Sequence, residues 1–132
     1  RLKRVPYGRG GVGMAIQIKR VYAPRSDADG CRVLVDRLWP RGVSREAARL
    51  DEWMKDVAPS PGLRAWFGHK AENFDQFADM YRAQLAADPE KRAAADRLIE
   101  LGRAGTVTLL YAAHSETINH AAVLQSYLRD RT

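Results

Sequence analysis

The sequence predicts an α/β domain, small and Rossmann-like, with a mostly parallel central sheet of three or more strands flanked by helices. Three observations predict it. Short apolar runs that suit strands are separated by longer segments whose apolar residues recur at helical spacing. One run, Val33-Leu34-Val35, is continuous rather than alternating, as in strands covered on both faces. The last two strand-like runs lie far apart and are joined through helical segments, which favours parallel pairing.

The first strand spans residues 15–22, where Ile16 and Ile18 alternate with Gln17 and Lys19. A polar connection follows from Pro24 to Gly30. It is short for a parallel crossover and suits a hairpin, unless a tight helical turn at Ser26–Asp29 closes it. The second strand covers residues 31–38 and is broken by Pro40-Arg41-Gly42. Ser44 suits an N-cap, and Leu50, Trp53, Met54 and Val57 recur at helical spacing, so a helix is expected over residues 45–55. Ala58-Pro59-Ser60-Pro61-Gly62 is a loop, and Leu63, Trp66 and Phe67 mark a short helix ended by Gly68. Phe74, Phe77, Ala78, Tyr81 and Leu85 form one stripe of a longer helix, residues 72–87. Asp88-Pro89 restarts a helix, with Asp at the N-cap and Pro at the first helical position. That helix runs to Leu101, with Gly102 near its end. Residues 106–113 form the third strand. The last helix covers residues 116–129, with Ser115 as its N-cap.

A chain of 132 residues suits one domain with one core. Residues 14–132 read as that domain. Residues 1–13 carry Arg1, Lys3, Arg4 and Arg9 and no acid, and read as a basic flexible extension or tag remnant. Without these four cations, 18 basic residues face 16 acidic ones, a balance of only +2. The high overall charge is therefore a poor argument for nucleic-acid binding. No apolar run approaches the roughly 18 residues of a membrane span. One cysteine, Cys31, excludes an internal disulfide, and a reducing cytoplasm is the expected setting.

Candidate site residues gather after two strands. In open α/β sheets, ligands sit beyond the carboxyl ends of the strands. If the second and third strands are neighbours, Asp36, Arg37, Arg41, Tyr111, His114 and His120 face one crevice. Asp36 and His120 are then the candidate acid/base pair, and Arg37 or Arg41 an anion clamp, because a guanidinium binds phosphate or carboxylate through two parallel bonds. Alternatively, Asp36 and Arg37 cap loop backbone or join a salt bridge. His120 lies early in the last helix, where the dipole disfavours imidazolium. Free N–H groups at residues 115–118, with Ser115 and Asn119, offer an anion site at the same helix start. His114 otherwise reads as a solvated loop residue. Tyr111 packs its ring inward, with its hydroxyl offered to the crevice. His69 either covers the pocket or, as the favoured reading, packs structurally; Trp39, Trp53 and Trp66 read as core anchors rather than a stacking platform, and Cys31 as buried and inert.

No Cys-x-x-Cys, and no His-x-x-x-His on a helix, suggests a metal site. The glycines at 8, 10, 11 and 13 precede the first strand and so cannot form a dinucleotide loop. No cofactor is expected.

The runs Val35-Asp36-Arg37-Leu38-Trp39-Pro40-Arg41-Gly42, Trp53-Met54-Lys55-Asp56-Val57-Ala58-Pro59-Ser60, Leu63-Arg64-Ala65-Trp66-Phe67-Gly68-His69 and Leu109-Leu110-Tyr111-Ala112-Ala113 resemble the YeaO-like branch of the domain-of-unknown-function 488 family. The resemblance extends from Met14 to Leu128. It implies a Rossmann-like parallel sheet and hence parallel pairing of the first two strands. The wider family carries a cysteine near the end of the last strand and a Cys-His-Arg string at the next helix. This chain has Tyr111 and Asn119-His120-Ala121 there, so only the histidine is kept. The combined expectation is a domain that binds a small anionic ligand, such as a nucleotide or phosphate ester, with possible hydrolase or transferase activity. The alternatives are a non-catalytic binding or regulatory module and, less favoured, a nucleic-acid binder.

Overall fold

Alternation decides which faces of the strands are covered. Ile16, Val33, Val35, Leu109 and Tyr111 fall on one face of the sheet, and Leu34 and Leu110 on the other. In the computed structural model, which describes residues 15–131, the strands are β1 (Ile16–Arg20), β2 (Cys31–Leu34), β3 (Glu52–Trp53) and β4 (Val107–Tyr111). They form one parallel sheet in the order β1-β4-β2-β3. Residues 1–13, read above as an extension, lie outside the described residues.

β1 and β2 are parallel but not paired, because β4 lies between them. Ile16 faces Val107, and Cys31 faces the same Val107 from the other side. The expected direct pairing of the first two strands is thereby corrected, and the short connection crosses over one strand. The turn that makes this possible is a 3₁₀ helix at Asp27–Asp29, held by a reciprocal cap. Ser26 Oγ accepts the Ala28 N–H at 3.1 Å, and the Asp29 carboxylate accepts the Ser26 N–H at 3.0 Å. Gly30 then passes against the chain before β4. Its φ is +63°, and a Cβ there would stand 2.3 Å from the Thr106 carbonyl oxygen, so only glycine fits. Asp29 is buried, and Lys19 and Arg32 each reach its carboxylate at 2.6 Å. Burial pushes this carboxyl up, but the bonds from Lys19, the Ser26 N–H and Arg32 outweigh it and hold it at about 2.

The helix expected over residues 45–55 is much shorter: α1 is Arg45–Ala48. Ser44 caps its start, and Arg49 ends it at φ 50°. The buried Arg32 guanidinium takes the Ala48 carbonyl at 2.7 Å and that of Arg49 at 3.2 Å. The chain then runs beside β2, with Asp51 N donating to the Arg32 carbonyl and Met54 N to that of Leu34, both at 2.8 Å. Bonds to a sheet edge outcompete the helical spacing of Leu50, Trp53 and Met54. Trp53 lies in β3, and Val57 in a 3₁₀ turn, Lys55–Val57.

The remaining helices are α2 (Pro61–Phe67), α3 (Phe74–Ala87), α4 (Pro89–Ala104) and α5 (His120–Asp130). Gly68 ends α2 in the left-handed conformation, and Asp88 and Pro89 start α4 as their order predicts. α4 continues through the buried Gly102 to Gly105. α5 starts later than expected and is capped by Asn119, whose Oδ1 accepts the Ala122 N–H at 2.8 Å. The main core lies between one sheet face and α3, α4 and α5, around Phe77, Tyr81, Leu98 and Leu124. A smaller cluster of Val21, Leu34 and Leu110 sits under Trp39 and Trp53 on the other face. Trp66, expected as a core anchor, is exposed.

Candidate functional site

β2 and β4 pair directly, so the chain leaving each opens on one crevice. Beyond β2, the segment from Asp36 to Val43 is clamped by side chains that donate to its backbone. Trp53 Nε1 donates to the Asp36 carbonyl at 2.8 Å, and Trp39 Nε1 to that of Val43 at 2.6 Å. The Tyr22 hydroxyl donates to the Arg41 carbonyl at 2.8 Å. The two indoles meet edge to face at 5.2 Å. The Asp-Arg-Leu-Trp-Pro-Arg-Gly string is thus a rigid strand exit that fixes where Asp36 and Arg37 stand.

Asp36 ties the two strand ends together. Its Oδ2 accepts the Ala112 N–H at 3.1 Å, and its Oδ1 is shielded from solvent 3.2 Å from His120 Nε2. That nitrogen also lies 3.0 Å from the Val35 carbonyl oxygen. A carbonyl only accepts, so Nε2 carries the proton, and Nδ1 is the nitrogen left to take up another. Both side chains are less than one-fifth exposed. Burial pushes the Asp36 carboxyl up and the His120 imidazole down, each against the opposing charge of the other. Both shifts disfavour the charged forms, and the pair titrates as a unit.

Above this pair lies a cavity of about 470 Å³. One wall is apolar: Ala58, Pro59, Phe67, Phe77, Ala113 and Ile118. Phe67 and Phe77 stack with centroids 4.1 Å apart and planes at 14°. The cations are Arg37 and Arg64, both exposed and in no ion pair among the described residues. All three histidines of the chain, His69, His114 and His120, line the same space. His69 holds a φ of +59° after Gly68, so the chain turns sharply at the cavity edge.

Of the residues singled out in the sequence, the fold brings Asp36, Arg37, His114, Ser115 and His120 together around the cavity. Arg41, Tyr111 and Asn119 do not line it. Arg41 is exposed beyond the strand exit. Tyr111 is buried in the main core, and burial pushes its phenol up. Asn119 is buried and used structurally, capping α5 and donating to the Ser115 carbonyl at 2.9 Å. The expected anion site at residues 115–118 is also corrected: the Thr117 and Ile118 N–H groups both bond the Ser115 hydroxyl oxygen, at 3.3 and 2.9 Å, ahead of the true helix start. Arg64, Phe67 and Phe77 were not singled out for the site. Their only signal is the Leu63-to-His69 run, and the docking of α2 beside the strand ends is what makes it matter. His69, weighed above as a pocket cover or a packing residue, lines the cavity. Cys31 is half-buried at the opposite end of β2, and its thiol is raised by burial and by Asp51 and Glu52. Among the described residues, no group of three or more His, Cys, Asp or Glu side chains is placed to hold a metal ion.

The family described as the inactive DUF488-N3 subclade matches residues 15–132. The chain belongs to DUF488-N3i. It is 43% identical to YeaO of Escherichia coli K12 over 116 residues, which cover 88% of this chain and 98% of YeaO. It is 40% identical to Rv3073c of Mycobacterium tuberculosis H37Rv over 116 residues, 88% of this chain and 95% of that protein. Both relatives are described as uncharacterized. No solved structure matches. The DUF488-N3i match starts at residue 15, where the described residues begin, and takes in every residue around the cavity. Among the described residues of this DUF488-N3i chain, no helix is long and apolar enough to cross a membrane.

Proposed function

We propose that this protein binds a small anionic ligand, a nucleotide or another phosphate ester, beyond the carboxyl ends of β2 and β4, and holds it without converting it. The observation that carries this reading is the pair of arginines, Arg37 and Arg64, which face a concave space and form no direct salt bridge among the described residues, although the Arg64 charge acts on the Asp36 carboxyl across that space. An exposed guanidinium whose own hydrogen-bond donors are not held in a salt bridge, beside a partly apolar hollow, suits a planar or tetrahedral oxyanion. Three features support binding over turnover. No thiol lines the cavity. The Ser115 hydroxyl oxygen is occupied by two N–H donors. Asp36 and His120 are bonded to backbone at both strand ends, as a structural brace would be. The description of the family as an inactive subclade agrees with this.

A thermal-shift screen against phosphate, nucleoside monophosphates and sugar phosphates tests the reading. A ligand present at about 100 times its Kd stabilises the fold by about 2.7 kcal/mol. The shift should vanish in Arg64→Gln and Arg37→Gln, whose own melting temperatures stay near wild type because both side chains are exposed. No shift with any anion, or an undiminished shift in both variants, overturns the proposal. A second reading, hydrolysis or group transfer, is favoured by the contact of Asp36 with His120 at the cavity floor. It requires product release that Asp36→Asn and His120→Gln abolish.

A further inference from the structure

The cavity is more than an anion site, because its cations and its apolar wall lie in different places. Arg37 and Arg64 are exposed, whereas Phe67, Phe77, Ala58 and Pro59 are buried. An inorganic ion held by the arginines would leave that wall facing a space it cannot fill. The size of the space is informative. An apolar cavity of about 150 Å³ accommodates one benzene ring, and this one measures about 470 Å³. It lies within the range of roughly 300–1,000 Å³ that holds small organic ligands. The wall is also poor in polar partners. The Ser115 oxygen already accepts two N–H bonds and leaves one O–H to donate, so most hydroxyls of a sugar laid against Leu38, Ala113 and Ile118 would go unpaired at a desolvation cost. A flat ring has no such cost, and the accessible apolar surface of Leu38, Ala113 and Ile118 gives it a place to lie, backed by the buried Phe67–Phe77 stack.

The geometry points to an amphipathic ligand whose body is an aromatic ring system larger than a single benzene ring, lodged against Leu38, Ala113 and Ile118, and whose negative group reaches out to Arg37 and Arg64. This rests on the anion-binding reading above and narrows it. A nucleotide meeting this description places its base, not its sugar, against the wall.

Isothermal titration of the intact protein with inorganic phosphate, phenyl phosphate, 1-naphthyl phosphate and uncharged 1-naphthol separates the two claims. Each added ring should tighten binding roughly tenfold or more, from the apolar area it buries. The heat capacity change of binding should become more negative along the series. Backbone amide shifts in the unmodified protein should centre on Ala113, Ile118 and Arg64. Ala113→Phe, which fills the space, should lose the naphthyl preference while keeping phenyl phosphate or phosphate binding. Should that variant fail to fold, Ile118→Trp serves the same purpose from the turn before α5. Naphthyl phosphate binding no tighter than inorganic phosphate, or amide shifts away from the cavity, overturns this inference and leaves the anion site standing. Naphthol binding as tightly as naphthyl phosphate overturns the anion reading and with it the ligand class. Absence of binding by every probe overturns both.

Discussion

Replacing Asp36 and His120 by alanine, singly and together, measures the contact on which the floor of the cavity is built. Were both groups charged, two unit charges 3.2 Å apart at an effective dielectric constant of about 20 would attract by about 5 kcal/mol. That is a ceiling, because burial raises Asp36 and lowers His120 and so offsets much of the attraction. A coupling energy of about 2 kcal/mol is expected, within the range found for residues in contact. His120→Ala alone should cost about 1–3 kcal/mol, since it leaves the Val35 carbonyl without its donor and opens space beside the shielded Asp36 carboxyl. Asp36→Ala also strands the Ala112 N–H. Urea unfolding at pH 7, followed by circular dichroism, gives the four stabilities of the cycle. If the double variant loses the sum of the single losses to within about 0.5 kcal/mol, the two side chains are not a pair and the reasoning about the floor is wrong.

Two further predictions concern pH and the buried charges. Burial holds the His120 imidazole below its ordinary value of 6.5, so the unfolded chain takes up a proton that the folded chain refuses. Stability should therefore fall as pH drops through 6.5, by at most about 1.4 kcal/mol per pH unit, and this slope should be missing from His120→Gln; parallel pH curves for the two proteins would refute the assignment. Asp29→Asn should cost about 3–5 kcal/mol in denaturant unfolding, because it leaves the buried Arg32 without its anion. The stability that Asp29 supplies is present above pH 3.8 and lost as pH falls toward about 2, so acid unfolding of the variant should lack that component.

Local chemistry made much of the fold legible. Ser26 and Asp29 encode their turn in four residues, and Asp88-Pro89 starts α4 as its order requires. The continuous run Val33-Leu34-Val35 correctly signals a strand buried on both faces. The failures are tertiary. Leu50, Trp53 and Met54 carry helical spacing by coincidence, and the free edge of β2 and the grip of Arg32 on the end of α1 decide their conformation. That β4 inserts between β1 and β2 is likewise invisible to any local pattern. The site follows the same division. Asp36 and His120 were legible because each follows a strand end. Arg64 was not, because its role comes from where α2 docks and not from its neighbours in sequence.

The position of β4 has a consequence for how the molecule is made. Among the described residues β1 pairs with one strand, some ninety residues downstream, at Ile16 opposite Val107, and the same strand closes the inner flank of β2. Until residue 111 has left the ribosome, the short β2–β3 pair is the one ladder of the described residues that the nascent chain can build. Such late, distant closure is slow and exposes apolar segments meanwhile. Truncation anywhere before Val107 should therefore leave an aggregation-prone fragment rather than a smaller working domain.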